Sequence, residues 1–178
     1  MNEPLKDLGF WSSYPSLYEK AARIQKECFP YSPEERGALF YALEVCGEVG
    51  ELLNVCKKIT RTKDSGKLDA LLKNALPEEA ADCAIALTML AQSLGGEPGR
   101  PALDGPLPED LHPLLIALSR KASSLYAAAW ENALSSEDIA LTLDLLFKLS
   151  QKFTCDLAAA VSAKLDKIAQ RALEKHYD

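Results

Sequence analysis

The stretch Leu39-Phe-Tyr-Ala-Leu-Glu44-Val-Cys-Gly-Glu48-Val-Gly-Glu51-Leu-Leu-Asn-Val55 decides how this chain is read. Glu44, Glu48 and Glu51 are spaced i, i+4, i+7, so in a helix they share one face. Like charges at that spacing destabilise a helix by a few tenths of a kcal/mol per pair. Gly47 and Gly50 lie in the same helix and cost about 1 kcal/mol each relative to Ala. A segment that breaks two local rules together is held by something outside itself. The glycines would let another backbone, or a ligand, come close.

Upstream, Phe29-Pro-Tyr-Ser-Pro-Glu-Glu35 is a strong helix start, with Ser32 as N-cap, Pro33 at the first helical position and Glu35 three residues past the cap. The helix is expected to run to about Ile59, roughly 40 Å at 1.5 Å per residue. An earlier helix is expected from about Ser16 to Cys28. Downstream, RTKDSGK (61–67) breaks the long helix, a short one follows around Lys67–Asn74, and Pro77 opens another that continues to Gly95-Gly96. GGEPGRPALDGPLPED (95–110) holds four Pro and four Gly and reads as a linker. Three more helices are expected, at about Pro108–Asn132, Ser136–Phe153 and Asp156–His176, with Ser135 and Asp138 resembling a capping box. The chain thus divides into a catalytic helical half (1–96), a Pro/Gly linker (97–110) and C-terminal helices (111–178).

Composition agrees with an all-α bundle of about five to seven helices. Ala and Leu number 25 and 30 among 178 residues, whereas Val and Ile together supply 10. The net charge of −6 argues against a nucleic-acid coat or a membrane-surface helix. No apolar run reaches the roughly 18 to 20 residues that span a bilayer, and MNEPLKDLGFWSS lacks the charged and apolar regions of a secretory signal. Five irregularly spaced cysteines suit a reduced, cytoplasmic protein.

The helix opened by Pro77 carries Glu79 and Asp82, again on one face. If it packs antiparallel to the first, Glu48, Glu51, Glu79 and Asp82 converge. Such a cluster is costly unless a divalent hard cation compensates it. The plain alternative is two solvated acidic faces.

At this point the residues resemble a family. GEVGELLNVCKK (47–58), followed after 27 residues by Glu79-xx-Asp82, is similar to the ExxE…ExxD signature of the all-α nucleoside triphosphate pyrophosphohydrolases, which include MazG-like enzymes, dCTP pyrophosphatases and dimeric dUTPases. The likeness covers about residues 15 to 95. It implies hydrolysis of an NTP or dNTP to the monophosphate and pyrophosphate. It also implies that Glu48, Glu51, Glu79 and Asp82 hold Mg²⁺, with Mn²⁺ as a substitute, and that Glu48 or Glu51 handles the attacking water. Lys58 and Arg61 would contact the departing pyrophosphate, or else are cations favoured at a helix C-terminus. DLAAAVSAKLDKIAQR (156–171) resembles the family's closing helix, placing Lys164 and Arg171 at phosphate-binding positions. Phe40, Tyr41 and Trp11 are candidates for the base or sugar pocket. Two positions depart from the family pattern: Ala86 stands where a ring is common, and Ile168 where Asn recurs.

The C-terminal half reads either as a degenerate copy of the first or as unrelated Ala/Leu helices. In a copy, Ser123 and Tyr126 replace Glu48 and Glu51, and the chain is a pseudo-dimer with one live site. The family otherwise implies a homo-oligomer, usually a dimer. Glu109 and His112 form an ExxH pair, but a di-iron site needs two, and the only other histidine is His176. The competing functional reading is a catalytically silent helical protein that binds a nucleotide or a partner helix. Neither reading includes a nucleic acid or a membrane.

Overall fold

The computed structural model describes residues 9–101 and 107–175, and these form an all-helical bundle with no strand among them. The long helices are α1 (Phe10–Cys28), α3 (Ala38–Arg61), α5 (Leu76–Ser93), α6 (His112–Trp130), α7 (Ser136–Lys152) and α8 (Leu157–Lys175). Two short ones, α2 (Pro33–Arg36) and α4 (Ser65–Ala70), lie between them. Part of the expected linker (102–106) and the expected helix end at His176 lie outside the described residues.

Two expected boundaries shift for physical reasons. Helix α1 begins six residues earlier than the Ser16 start, with Pro15 inside it. Phe10, Trp11 and Tyr14 are all buried there, and Phe10 stacks on Phe147 of α7 with centroids 5.5 Å apart. That burial outweighs the amide Pro15 cannot donate. The helix expected from Pro33 to Ile59 is split. The Ser32 capping box forms, with the Ser32 amide donating to Glu35 Oε2 at 2.6 Å and the Glu35 amide to Ser32 Oγ at 3.3 Å. One turn later the chain bends at Gly37, whose φ of 83° and ψ of 161° are open essentially to glycine alone.

Pro77 does not start a new helix. The chain runs on from α4 through a π-helical turn (Leu71–Ala75), closed by the Leu76 amide donating to the Leu71 carbonyl. The wider turn lies where the Pro77 ring would crowd a preceding carbonyl, so α5 continues through it.

Helix α5 is the hub, packing against α1, α2, α3, α7 and α8. From Leu87 to Gln92 every residue is buried, as expected of a helix apolar on all sides. Its small residues, Ala80, Ala81, Ala84 and Ala91, let neighbours approach closely. Its two buried polar side chains have partners. Thr88 donates to the Ala84 carbonyl and pairs with the Tyr14 hydroxyl at 3.2 Å, while Gln92 donates to the Tyr18 carbonyl at 3.1 Å. Helix α6 packs on α3 and α7, and the Cys46 thiol donates to the Ala122 carbonyl. Helix α8 crosses α5 and α1, clasped by Lys20, which reaches Asp166 at 2.8 Å and the Ser162 carbonyl and hydroxyl. One core runs from Phe10 to Leu165, so both halves share it.

Gly47 and Gly50 lie on the exposed side of α3, and a Cβ at either would meet nothing within 4 Å. The described residues bring no backbone against them. Gly47→Ala is therefore expected to raise stability by about 0.5–1 kcal/mol. Gly37→Ala, forced into glycine-only backbone space, should lower it by about 1–3 kcal/mol. Denaturant unfolding of the two variants checks both signs.

Candidate metal centre

Two cavities set the direction of α3 against α5. The C-terminal end of α3 (Lys57, Lys58, Arg61) shares a groove with Leu71, Asn74 and Ala75 just before α5, whereas Tyr41 and Glu44 near its start face Ile85 and Met89 far along α5. The helices therefore run antiparallel, and the middle of α3 meets the first turns of α5.

At that level Glu48, Glu51 and Glu79 each offer a carboxylate oxygen, all within 4.8 Å of one another. Glu48 and Glu79 are half-buried and Glu51 is exposed. Small side-chain rotations would bring these oxygens to the bonds of about 2.1 Å that Mg²⁺ requires. The donor set is made of hard oxygens. Cys83 lies nearby and is buried, and in the metal-free protein burial and the neighbouring acids raise its thiol well above the ordinary range. The residues present thus suit a hard divalent ion such as Mg²⁺ or Mn²⁺.

Asp82 is outside this trio. Its Oδ2 accepts from Lys164 Nζ on α8 at 2.6 Å, and the same ammonium reaches Glu78 Oε1 at 3.2 Å. Lys167 stands 4.0 Å from Glu78. Sequence reading missed Glu78 as a member of the site. The signal was there as two complementary stripes: Glu78 and Asp82 at i, i+4 on α5, and Lys164, Lys167 and Arg171 at i, i+3, i+7 on α8.

Electrostatics follow this layout. Burial, then the charges of Asp82, Glu51, Glu79 and Glu44, pushes the Glu48 carboxyl up to about 7. Glu79 is raised by burial and by Glu51 and Asp82. Asp82 is raised by burial, which Lys164 partly offsets. Glu78 is lowered by its hydrogen bond to Lys164. Burial draws the Lys164 ammonium down, but Asp82 and Glu78 outweigh it and its affinity for the proton rises.

The other candidates are distributed around this centre. Lys58 and Arg61 are exposed and line a groove of about 760 Å³ with Lys57, Lys67 and Asn74. Among the described residues, no ion pair engages these four cations. Arg171 is exposed on α8 and acts on Glu78 through its charge. Tyr41 lines a cavity of about 200 Å³ with Glu44, Ile85, Met89 and Ile168. Phe40 is exposed instead, with the Arg36 guanidinium 5.0 Å from its ring centre. Trp11 is not brought to the cavity, because it packs edge-on to Phe10 and Tyr14 in the core. Ile168 thus borders the site, and Ala86 is buried in α5.

The raised Glu48 carboxyl has a consequence for stability. Its folded pKa lies above its unfolded value, so the metal-free fold loses stability as pH rises from about 4.5 to about 7. The melting temperature without divalent metal should fall across that window, and Glu48→Gln should flatten the dependence. A pH series of thermal melts in chelator measures it. In comparisons with known proteins, no family model, curated protein or solved structure matches this chain.

Proposed function

We propose that this chain is a Mg²⁺-dependent nucleoside triphosphate pyrophosphohydrolase, converting an NTP or dNTP and water to the monophosphate and pyrophosphate. The observation that carries the reading is the convergence of Glu48, Glu51 and Glu79 within 4.8 Å on antiparallel helices. Glu48 and Glu79 are half-buried there, and the three carboxylates repel one another, a cost that a bound divalent cation would relieve. When bound, Mg²⁺ supplies charge neutralisation at the phosphates and a water of lowered pKa.

The chain's own residues divide the remaining work. Glu48, Glu51 and Glu79 serve as oxygen ligands. Of these, Glu48 or Glu51 would also orient the attacking water and take its proton. The groove lined by Lys57, Lys58, Arg61 and Lys67 lies beyond the carboxylates toward the C-terminal end of α3. Its cations are available to take the pyrophosphate end of the substrate as charge-assisted donors. On the opposite side, the cavity beside Tyr41 has apolar walls and two charged groups, Glu44 and Arg36, and would receive the base. The reaction therefore has a direction along α3, from base through the α-phosphate to pyrophosphate.

One observation favours the second reading, a nucleotide-binding protein without turnover. Asp82 is occupied by Lys164 rather than joined to the three glutamates. Pyrophosphate release from a panel of NTPs and dNTPs with Mg²⁺ separates the two. We expect turnover of at least one nucleotide, and a loss of about 10²–10⁴-fold in kcat for Glu48→Gln with the fold retained. Binding by calorimetry without pyrophosphate release from any nucleotide would establish the silent reading instead.

No helix among the described residues is long and apolar enough to cross a membrane, and the five cysteines are free thiols. We place the protein in the cytoplasm on the thiols. We also propose a homodimer, because Leu43, Ile116 and Trp130 expose 57%, 53% and 71% of their surface on the neighbouring helices α3 and α6. Light scattering coupled to size exclusion should give twice the chain mass of 19.4 kDa, and Trp130→Glu should return it to the monomer.

A further inference from the structure

We propose that Lys164 is a built-in counter-cation that holds Asp82 in reserve, so that the free protein loads one divalent ion, on Glu48, Glu51 and Glu79, rather than two. The inference rests on the metal-centre reading and concerns how that centre fills.

When all are ionised the four carboxylates sum to −4, and Lys164 is the cation bonded to one of them. Its ammonium is held rather than free: the side chain is 14% exposed, and two of its three protons are spent on Asp82 at 2.6 Å and Glu78 at 3.2 Å. A divalent ion bonded to Asp82 Oδ2 at about 2.1 Å would stand within about 5 Å of that ammonium. At that distance two like-charged cations share one oxygen, in a pocket where Asp82 is largely shielded from water. An ion on Oδ2 must therefore displace Lys164, and one on the other carboxylate oxygen would still stand close to that ammonium, whereas an ion on the three glutamates does not touch the oxygen that Lys164 holds.

The ion pair is not needed to dock α8. That helix buries Leu157, Val161 and Leu165 against the bundle, and Lys20 clasps it from α1 through Asp166 and Ser162. Lys167 and Arg171 also face Glu78 from the same helix, so Glu78 keeps a cationic neighbour when Lys164 is removed. What Lys164 alone does is neutralise Asp82. It is a positioning residue for the metal site.

Mn²⁺ titration followed by calorimetry and electron paramagnetic resonance reads the stoichiometry directly. Wild-type protein should bind one Mn²⁺. Lys164→Met, which keeps the aliphatic stem, should bind two, with the exchange-coupled signal of a close ion pair and a second site at least tenfold tighter than any seen in wild type. Lys164→Arg should restore one. As an independent arm, Asp82→Asn in the otherwise native chain should change the affinity of the first ion by less than about fivefold, because Asp82 is not among its ligands. The proposal is overturned if Lys164→Met still binds one ion, if it loses stability with unchanged metal binding, or if Asp82→Asn weakens the first ion more than tenfold. Absence of Mn²⁺ binding to wild type and to Lys164→Met alike would overturn the metal-centre reading itself.

Discussion

The packing of α3 along α5 is the constraint on which the rest depends. It is driven by apolar faces, with Val45, Val49, Leu52 and Cys56 on one helix and Ala80, Ala84 and Leu87 on the other, all buried. Burial of this kind contributes about 25 cal/mol per Å² of apolar surface. Repulsion among carboxylates costs a few tenths to a few kcal/mol. Apolar burial therefore decides the geometry, and the acids on the flanks of both helices are carried together as a consequence. Glu48, with its carboxyl near 7, records the strain this leaves.

That strain is relieved unevenly. Helix α8 brings Lys164 to one side of the cluster and compensates Asp82 and Glu78, but not the three glutamates. The cluster therefore has a neutralised edge and an open centre. The open centre is the part where the proposed cation would bind. The basic groove at the end of α3 continues the pattern, since its cations have no ion-pair partner among the described residues and Lys58 lies two turns from Glu51. Acid centre and basic groove together are the surface on which the proposed metal and polyanion would meet.

The second half of the chain takes part through packing. Helices α6 and α7 lie against α3 and α5 respectively, and Ser123 and Tyr126 face solvent where a second acid pair would stand in a duplicated domain. The half supplies support, and through α8 it supplies the lysine at the site. The linker is anchored near its end, where Lys152 donates to the Pro108 and Glu109 carbonyls.

Helicity, the Ser32 and Ser135 caps and the paired spacing of Glu48 with Glu51 and of Glu79 with Asp82 were legible in the sequence. Each depends on interactions within four residues, which local spacing reports. The break at Gly37, the passage of α5 through Pro77 and the early start of α1 were not legible, because distant burial decided each against a local preference. The carboxylates show the same division. Spacing along one helix placed two acids on each face, but which three of the four would meet depended on the crossing of α3 and α5 and on a lysine 82 residues from Asp82. The sequence by itself determined the chemistry available at the site. Only the tertiary structure decided that Asp82 would be spent on Lys164 while Glu48, Glu51 and Glu79 remained open, because an ion pair between separate helices exists only once packing has fixed both backbones.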